Sequence, residues 1–288
     1  MTNIIASYWT IAGDRFPGCG AEASSRSFKE RYEMAGKLGY AGAGLVLDDL
    51  VAARDTIGYA ELSRILKGNG IVDLEVEILT DWFATGERRV ESDRQRAILL
   101  EAGEALGAHH LKVSGDFQSK ELNIEQMAES FAGLCADAEK RGLPVGIEVM
   151  PFTNLATVKE SRAVVEAAGV KKGGLLLDIW HMERNNIPHA DIAALPGEMI
   201  VSIEINDAAA EVERDIWFDT LNRRILPGQG SFDIDGFLAA IYKTGFNGPV
   251  GIEIISEAQR QKALEKGLRD AMDAGRPYIE RAVKKAIA

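Results

Sequence analysis

Eight short aliphatic and β-branched runs alternate with longer amphipathic segments along nearly the whole chain. This alternation limits the possible folds more than any other feature of the sequence. The runs lie near 5–10, 41–47, 72–79, 109–114, 144–150, 174–180, 199–206 and 249–255. Segments with helical spacing follow most of them, at 27–38, 59–68, 91–106, 124–141, 157–168, 190–195, 233–244 and 258–286. In 124–141, Met127, Phe131, Leu134, Cys135 and Ala138 keep a 3.6-residue period. Gly39, Gly107, Gly142, Gly169 and Gly245 follow helical segments, as C-terminal caps do, and Ser27 and Asp233 stand where N-caps belong. Strands joined through helices run parallel. Eight such units in 288 residues predict a single closed (β/α)8 barrel. An open doubly wound sheet is the rival, but 18–20 reads Gly-Cys-Gly with no third glycine to make a dinucleotide fingerprint. No Pro/Gly/Ser-rich linker interrupts the chain, so residues 1–288 read as one domain. The irregular stretch 207–232 decorates the barrel between strands seven and eight.

Charge narrows the partners. With 33 Lys and Arg against 44 Asp and Glu the formal charge is −11, which disfavours nucleic acid and anionic membrane surfaces. Residues 1–16 lack a basic segment followed by a long apolar core, so no secretory signal is expected. The apolar stretch around Leu175–Leu177 is broken by Asp178, far short of a membrane span. Cys19 and Cys135 lie far apart without metal-ligand spacing, and a cytoplasmic setting is the simplest expectation. The expected partner is a small molecule.

Three strands share one frame: Gly146-Ile147-Glu148-Val149, Ser202-Ile203-Glu204-Ile205 and Gly251-Ile252-Glu253-Ile254. Side chains alternate between the faces of a strand. The flanking Ile and Val residues therefore face the helices, and Glu148, Glu204 and Glu253 face the barrel interior. A fourth run, Leu175 to His181, adds Asp178 and then His181. Buried carboxylates must be protonated, paired or bound to a cation. Lys112, inward-facing by the same parity, serves one of them, and a divalent cation accounts for the others most economically. Oxygen ligands favour Mg2+ or Mn2+ over zinc by hardness, although intrinsic affinity order leaves the metal open. These acids lie near the C-terminal strand ends, where barrels of this class carry their active sites.

Taken with Leu177-Asp-Ile-Trp-His181, Ser202-Ile-Glu-Ile-Asn-Asp207, Leu226-Pro-Gly-Gln-Gly230 and Gly245-Phe-Asn-Gly-Pro-Val-Gly-Ile-Glu253, these motifs carry a resemblance. The chain resembles the sugar phosphate isomerase/epimerase group of xylose isomerase-like TIM barrels, relatives of endonuclease IV. The resemblance implies a divalent metal held by Glu148, Asp178, the residue at 204 and Glu253. It also implies that Glu148 and Glu253 form an acid/base pair and that His181 contacts the substrate. Family members usually carry His where this chain has Glu204, and the family's substrate-binding Arg has Arg214 and Arg224 as its nearest counterparts, Arg224 being preferred. A homodimer matches common family behaviour.

Two carboxyls beside a metal suit proton abstraction next to a carbonyl and return of the proton elsewhere. Return at the neighbouring carbon isomerises a sugar, and return on the opposite face epimerises it. Loss of a β-hydroxyl makes the same site a dehydratase or lyase acting on a keto-polyol, a dehydroshikimate-like acid or a 3-keto-glycoside. Trp9, at the end of the first strand, is expected to touch substrate, and Trp82-Phe83 after the third strand are candidates for an apolar wall. Gly228-Gln229-Gly230 is either a phosphate-binding loop or a tight turn before a helix. Glu75 and Glu77 share a face of strand three; pairing within the barrel is expected, with a place for one of them at the site as the alternative. His109 and His110 begin strand four, away from the catalytic end, and His189 lies in a loop.

Overall fold

Alternation of face along each strand decides how this chain packs. The computed structural model describes residues 2–287. Eight parallel strands close a barrel in sequence order: β1 (Ile4–Ala6), β2 (Gly42–Val46), β3 (Asp73–Leu79), β4 (His110–Ser114), β5 (Val145–Glu148), β6 (Gly173–Asp178), β7 (Ile200–Ile205) and β8 (Val250–Ile252). Ile147, Val149, Ile203, Ile205, Ile252 and Ile254 all belong to the main apolar core, where the surrounding helices cover them. Each such side chain contributes about 1.5–3 kcal/mol when buried. The expected caps form: Ser27 Oγ accepts from Glu30 N, and Asp233 accepts from Gly236 N. Gly39, Gly107, Gly142, Gly169 and Gly245 all take positive φ at helix ends.

Several strands are shorter than their apolar runs, because the chain turns into a helix at once. After β1 the backbone forms a helical turn, Tyr8–Ile11, so Trp9 sits on that turn and not at a strand end. After β2 a helix runs from Leu47 to Thr56, and after β6 another runs from Ile179 to Arg184. Asp178 caps the latter by accepting from Trp180 N at 2.8 Å, which ends the strand at Asp178 and carries His181 onto a helix. The C-terminal segment divides into a short helix, Glu257–Arg260, and a long one, Leu264–Ile287. His189 opens the helix His189–Ala193 and is not in a loop. No described helix is long and apolar enough to cross a membrane.

Candidate active site

The strand register brings the acids together. Asp178 pairs with Glu204 across β6 and β7, and Glu204 pairs with Gly251 across β7 and β8. Ser114 pairs with Glu148 across β4 and β5. Glycine makes the space: a Cβ at Gly251 would lie 2.8 Å from Glu204 Cγ, and one at Gly44 would lie 2.7 Å from Glu77 Oε1. Glu148, Asp178, Glu204 and Glu253 are buried, and each offers an oxygen within 4.8 Å of the others.

Two cations are threaded among these acids. Lys112 Nζ lies 3.0 Å from Glu77 Oε2, 3.0 and 3.2 Å from the two Glu204 oxygens, 3.7 Å from Glu253 Oε1 and 4.0 Å from Glu148 Oε2. Arg224 Nη1 bridges Asp178 Oδ2 and Glu253 Oε2, the latter at 2.7 Å, and Nη2 donates to Thr220 Oγ1 at 3.1 Å. Ser7 Oγ donates to Glu204 Oε1 at 2.7 Å, and Asn206 Nδ2 donates to Asp178 Oδ1 at 2.8 Å. His181 Nε2 lies 3.3 Å from Glu148 Oε1. Below this layer Glu75 is wholly buried, 3.6 Å from His110 Nε2. Glu77 therefore reaches the site through Lys112, while Glu75 stays within the barrel.

The environments separate the carboxyls. Burial raises Glu253 to about 8, with Asp178 and Glu148 repelling its charge and Lys112 and Arg224 only partly offsetting this. Burial and repulsion from Glu253 push Glu204 well above the usual carboxylate range. Burial also opposes ionisation of Glu148, but Lys112 and His181 outweigh it and hold this carboxyl below its ordinary value. Arg224 likewise outweighs burial at Asp178 and lowers it. Lys112 is driven upward because its carboxylate neighbours overcome the cost of burying a charge.

The donor set fits a divalent ion. Among the described residues, five buried acids (Glu77, Glu148, Asp178, Glu204 and Glu253) meet only Lys112 and Arg224 as Lys or Arg partners, so acids outnumber fixed cations. Glu148 Oε2 and Glu253 Oε1 stand beyond hydrogen-bonding range of Lys112 and have an oxygen free to bind metal. Glu204 and Asp178 are more committed: Lys112 and Ser7 occupy the oxygens of the first, and Trp180 N, Asn206 and Arg224 those of the second.

The site floors a cleft of about 270 Å3 lined by Glu77, Lys112, Glu148, His181, Arg224 and Glu253 together with Trp9, Phe117, Phe152 and Trp217. Hollows of about 670 and 920 Å3 open elsewhere, but none of these acids lines them. Trp82 and Phe83 do not form the apolar wall. Both are buried, and Trp82 Nε1 donates to Ser114 O at 2.8 Å while its ring packs on Phe131. The wall is instead Phe117, Phe152 and Trp217. The first two follow β4 and β5 closely, as site loops in barrels do, and so were open to detection. Trp217, in the insertion, carried no local signal. Gly228-Gln229-Gly230 is a turn: Asp207 accepts from Gly228 N at 2.9 Å, Gly230 N at 2.8 Å and Phe232 N at 3.1 Å. Arg214 stacks on Phe218, 4.0 Å from the ring centroid, and does not line the cleft.

The sequence profile of xylose isomerase-like TIM barrels matches residues 32–278. The chain belongs to that family. A 3-dehydroshikimate dehydratase of Pseudomonas putida is 24% identical over 251 residues, 86% of this chain and 39% of the relative. An inosose isomerase of Bacillus velezensis is 25% identical over 168 residues, 58% of this chain and 59% of the relative. The chain thus spans less than two thirds of the length of either curated relative. The crystal structure of IOLI protein with a binding zinc atom superposes with a TM-score of 0.84 at 19% identity, covering 98% of this chain and 99% of that one. D-psicose 3-epimerase from Clostridium cellulolyticum H10 superposes at 0.74 with 18% identity, covering 97% and 99%. These likenesses establish the shared barrel fold. Relatives and neighbours together include isomerases, an epimerase and dehydratases.

Proposed function

We propose that this protein is a divalent-metal-dependent isomerase or epimerase of a sugar or sugar derivative, working by proton transfer between Glu148 and Glu253. One observation carries the proposal. Two buried carboxyls line the same cleft with oxygens within 4.8 Å, and in the metal-free site their surroundings shift their proton affinities in opposite directions. Such divergence is how one site holds a base and an acid at the same pH. Glu148, ionised, takes the proton from the carbon beside the substrate carbonyl. Glu253, protonated, returns one at the neighbouring carbon or on the other face. Lys112 holds Glu148 ionised and Arg224 holds Asp178 ionised against the cost of burial, whereas burial and the neighbouring acids keep Glu253 protonated despite both cations. Glu148, Asp178, Glu204 and Glu253 would hold Mn2+ or Mg2+, suited to their oxygen donors. When bound, that ion supplies Lewis-acid polarisation of a substrate oxygen.

A dehydratase or lyase is the second reading, favoured by the Pseudomonas putida relative that spans most of the chain. His181, beside Glu148, would protonate a leaving β-hydroxyl. The test is proton exchange. Keto-polyols, including inososes and 3-keto-glycosides, are incubated in D2O with the metal-loaded enzyme and followed by NMR, with ultraviolet absorbance reporting any conjugated product. Exchange at the carbon next to the carbonyl is expected, falling by roughly 10²–10⁴ in Glu148→Gln and Glu253→Gln. Undiminished exchange in both variants would refute the assignment.

A further inference from the structure

We infer that the cleft takes an uncharged keto-glycoside whose planar or apolar substituent rests on the Phe117–Phe152–Trp217 wall, and that it rejects phosphorylated and carboxylated substrates. This substrate class rests on the proton-transfer reading above and adds to it.

Charge excludes the anions. Lys112 and Arg224 are the only Lys or Arg side chains among the described residues lining the cleft. Neither is free for a ligand anion: Lys112 contacts Glu77 and Glu204 at 3.0 Å, and Arg224 is held between Asp178 and Glu253. A substrate phosphate or carboxylate would meet no unpaired Lys or Arg side chain there, and its charge would be desolvated without a partner. A divalent ion would be shared among the carboxylates that hold it. Two glycine-rich loops have spent backbone donors within the protein: Gly228 N and Gly230 N on Asp207, and Gly18 N, at the cleft, on Glu22. Nearby arginines are engaged as well: Arg88 with Asp81 and Asp116, and Arg223 with Glu213 and Glu257.

The wall selects the substituent. Phe152 and Trp217 stack at 4.3 Å between centroids with an interplanar angle of 29°, and Phe117 stacks on Phe152 at 5.9 Å and 21°. Two of these rings keep open faces, Trp217 at 44% and Phe117 at 37% exposure. Phe152 also meets His181 edge-on at 5.4 Å, so the wall is continuous with the catalytic floor. A sugar ring over the acids would thus project its substituent along the aromatic stack. Trp9, Val46 and Ile255 add a second apolar surface to the cleft, in a cluster separate from the main core. Exposed rings that continue a polar floor suit a ligand that is polar at one end and apolar at the other.

The experiment compares 4-nitrophenyl 3-keto-β-glucoside, its methyl counterpart, the methyl compound carrying a 6-phosphate, and 3-dehydroshikimate. Binding is read by calorimetry and turnover by deuterium exchange or product absorbance, with the metal-loaded protein. The aryl glycoside is expected to bind about tenfold more tightly than the methyl glycoside, and both anions at least about a hundredfold more weakly than the neutral methyl compound. Trp217→Ala is expected to abolish the aryl-over-methyl ratio. Equal binding of aryl and methyl compounds, no binding of either, or an anion that binds as well as the neutral compounds would overturn the inference. Binding in the expected order without proton exchange in any compound would instead defeat the catalytic reading and leave the ligand class standing.

Discussion

Replacing Lys112 by Met tests whether a single ammonium group holds the acidic floor together. Its Nζ lies within 4.0 Å of Glu77, Glu148, Glu204 and Glu253, and it is the only Lys or Arg within that distance of Glu77 and Glu204 among the described residues. Methionine keeps most of the volume of the stem but removes the charge. Breaking a buried pair from one side costs about 3–5 kcal/mol, because the partner is left charged and unpaired. At about 2–4 °C per kcal/mol for a chain of this size, a loss near 4 kcal/mol lowers Tm by roughly 8–16 °C. The sign with pH follows from the acids. At Glu148 burial opposes ionisation and Lys112 is the strongest attraction that outweighs it, so loss of Lys112 raises this carboxyl from below its ordinary value. A carboxyl raised in this way binds more protons in the folded variant than in the folded wild type, so the variant loses stability relative to wild type as pH rises above about 4.3. The deficit relative to wild type is therefore smallest near pH 5 and largest near pH 8. Adding Glu204→Gln removes one uncompensated acid, and the double-mutant cycle should show about 1–3 kcal/mol of coupling. Thermal and urea unfolding at both pH values, without metal and with Mn2+, supply the measurement. A deficit below about 1 kcal/mol at pH 8, or one that does not shrink at pH 5, would refute the counter-charge role of Lys112.

Two further outcomes concern stability. Burial, with His109 and Lys112 adding repulsion, holds His110 well below its ordinary value, so it is buried neutral. Its contribution is present above about pH 6.5 and is lost as pH falls below that value, at up to about 1.4 kcal/mol per pH unit; urea midpoints between pH 5 and 8 should show the slope, and His110→Gln should flatten it. Asp207→Ala removes the acceptor for four backbone N–H groups, those of Ala208, Gly228, Gly230 and Phe232. A loss of about 2–5 kcal/mol is expected by chemical denaturation, and a change under 1 kcal/mol would show that the turn holds itself.

The barrel and the acidic floor were legible because they depend on short periods. Eight aliphatic runs separated by helical spacing specify parallel strands, and the repeated small-Ile-Glu frame places Glu148, Glu204 and Glu253 on the inner face by alternation alone. The inward aim of Lys112 came from the same parity. Strand ends were less visible, since Val46 and Asp178 begin helices within runs that remain apolar. Which cation serves which acid lay beyond local pattern. Arg224 stands 46 positions from Asp178, and Lys112 stands 92 from Glu204. Only closure of the barrel, with its stagger between strands, brings them within reach.

The aromatic residues separate the two kinds of information. Trp82-Phe83 looks in sequence like a wall and is core, while Phe117, Phe152 and Trp217 come from three separate connections and make the actual wall. Side-chain direction within a strand is set by neighbouring peptide units, so the one-dimensional order of residues sufficed to place an acidic interior. Pairing of charges, stacking of loop rings and diversion of the glycine turn to Asp207 depend on distances between remote segments, and those distances exist only once the chain has closed on itself.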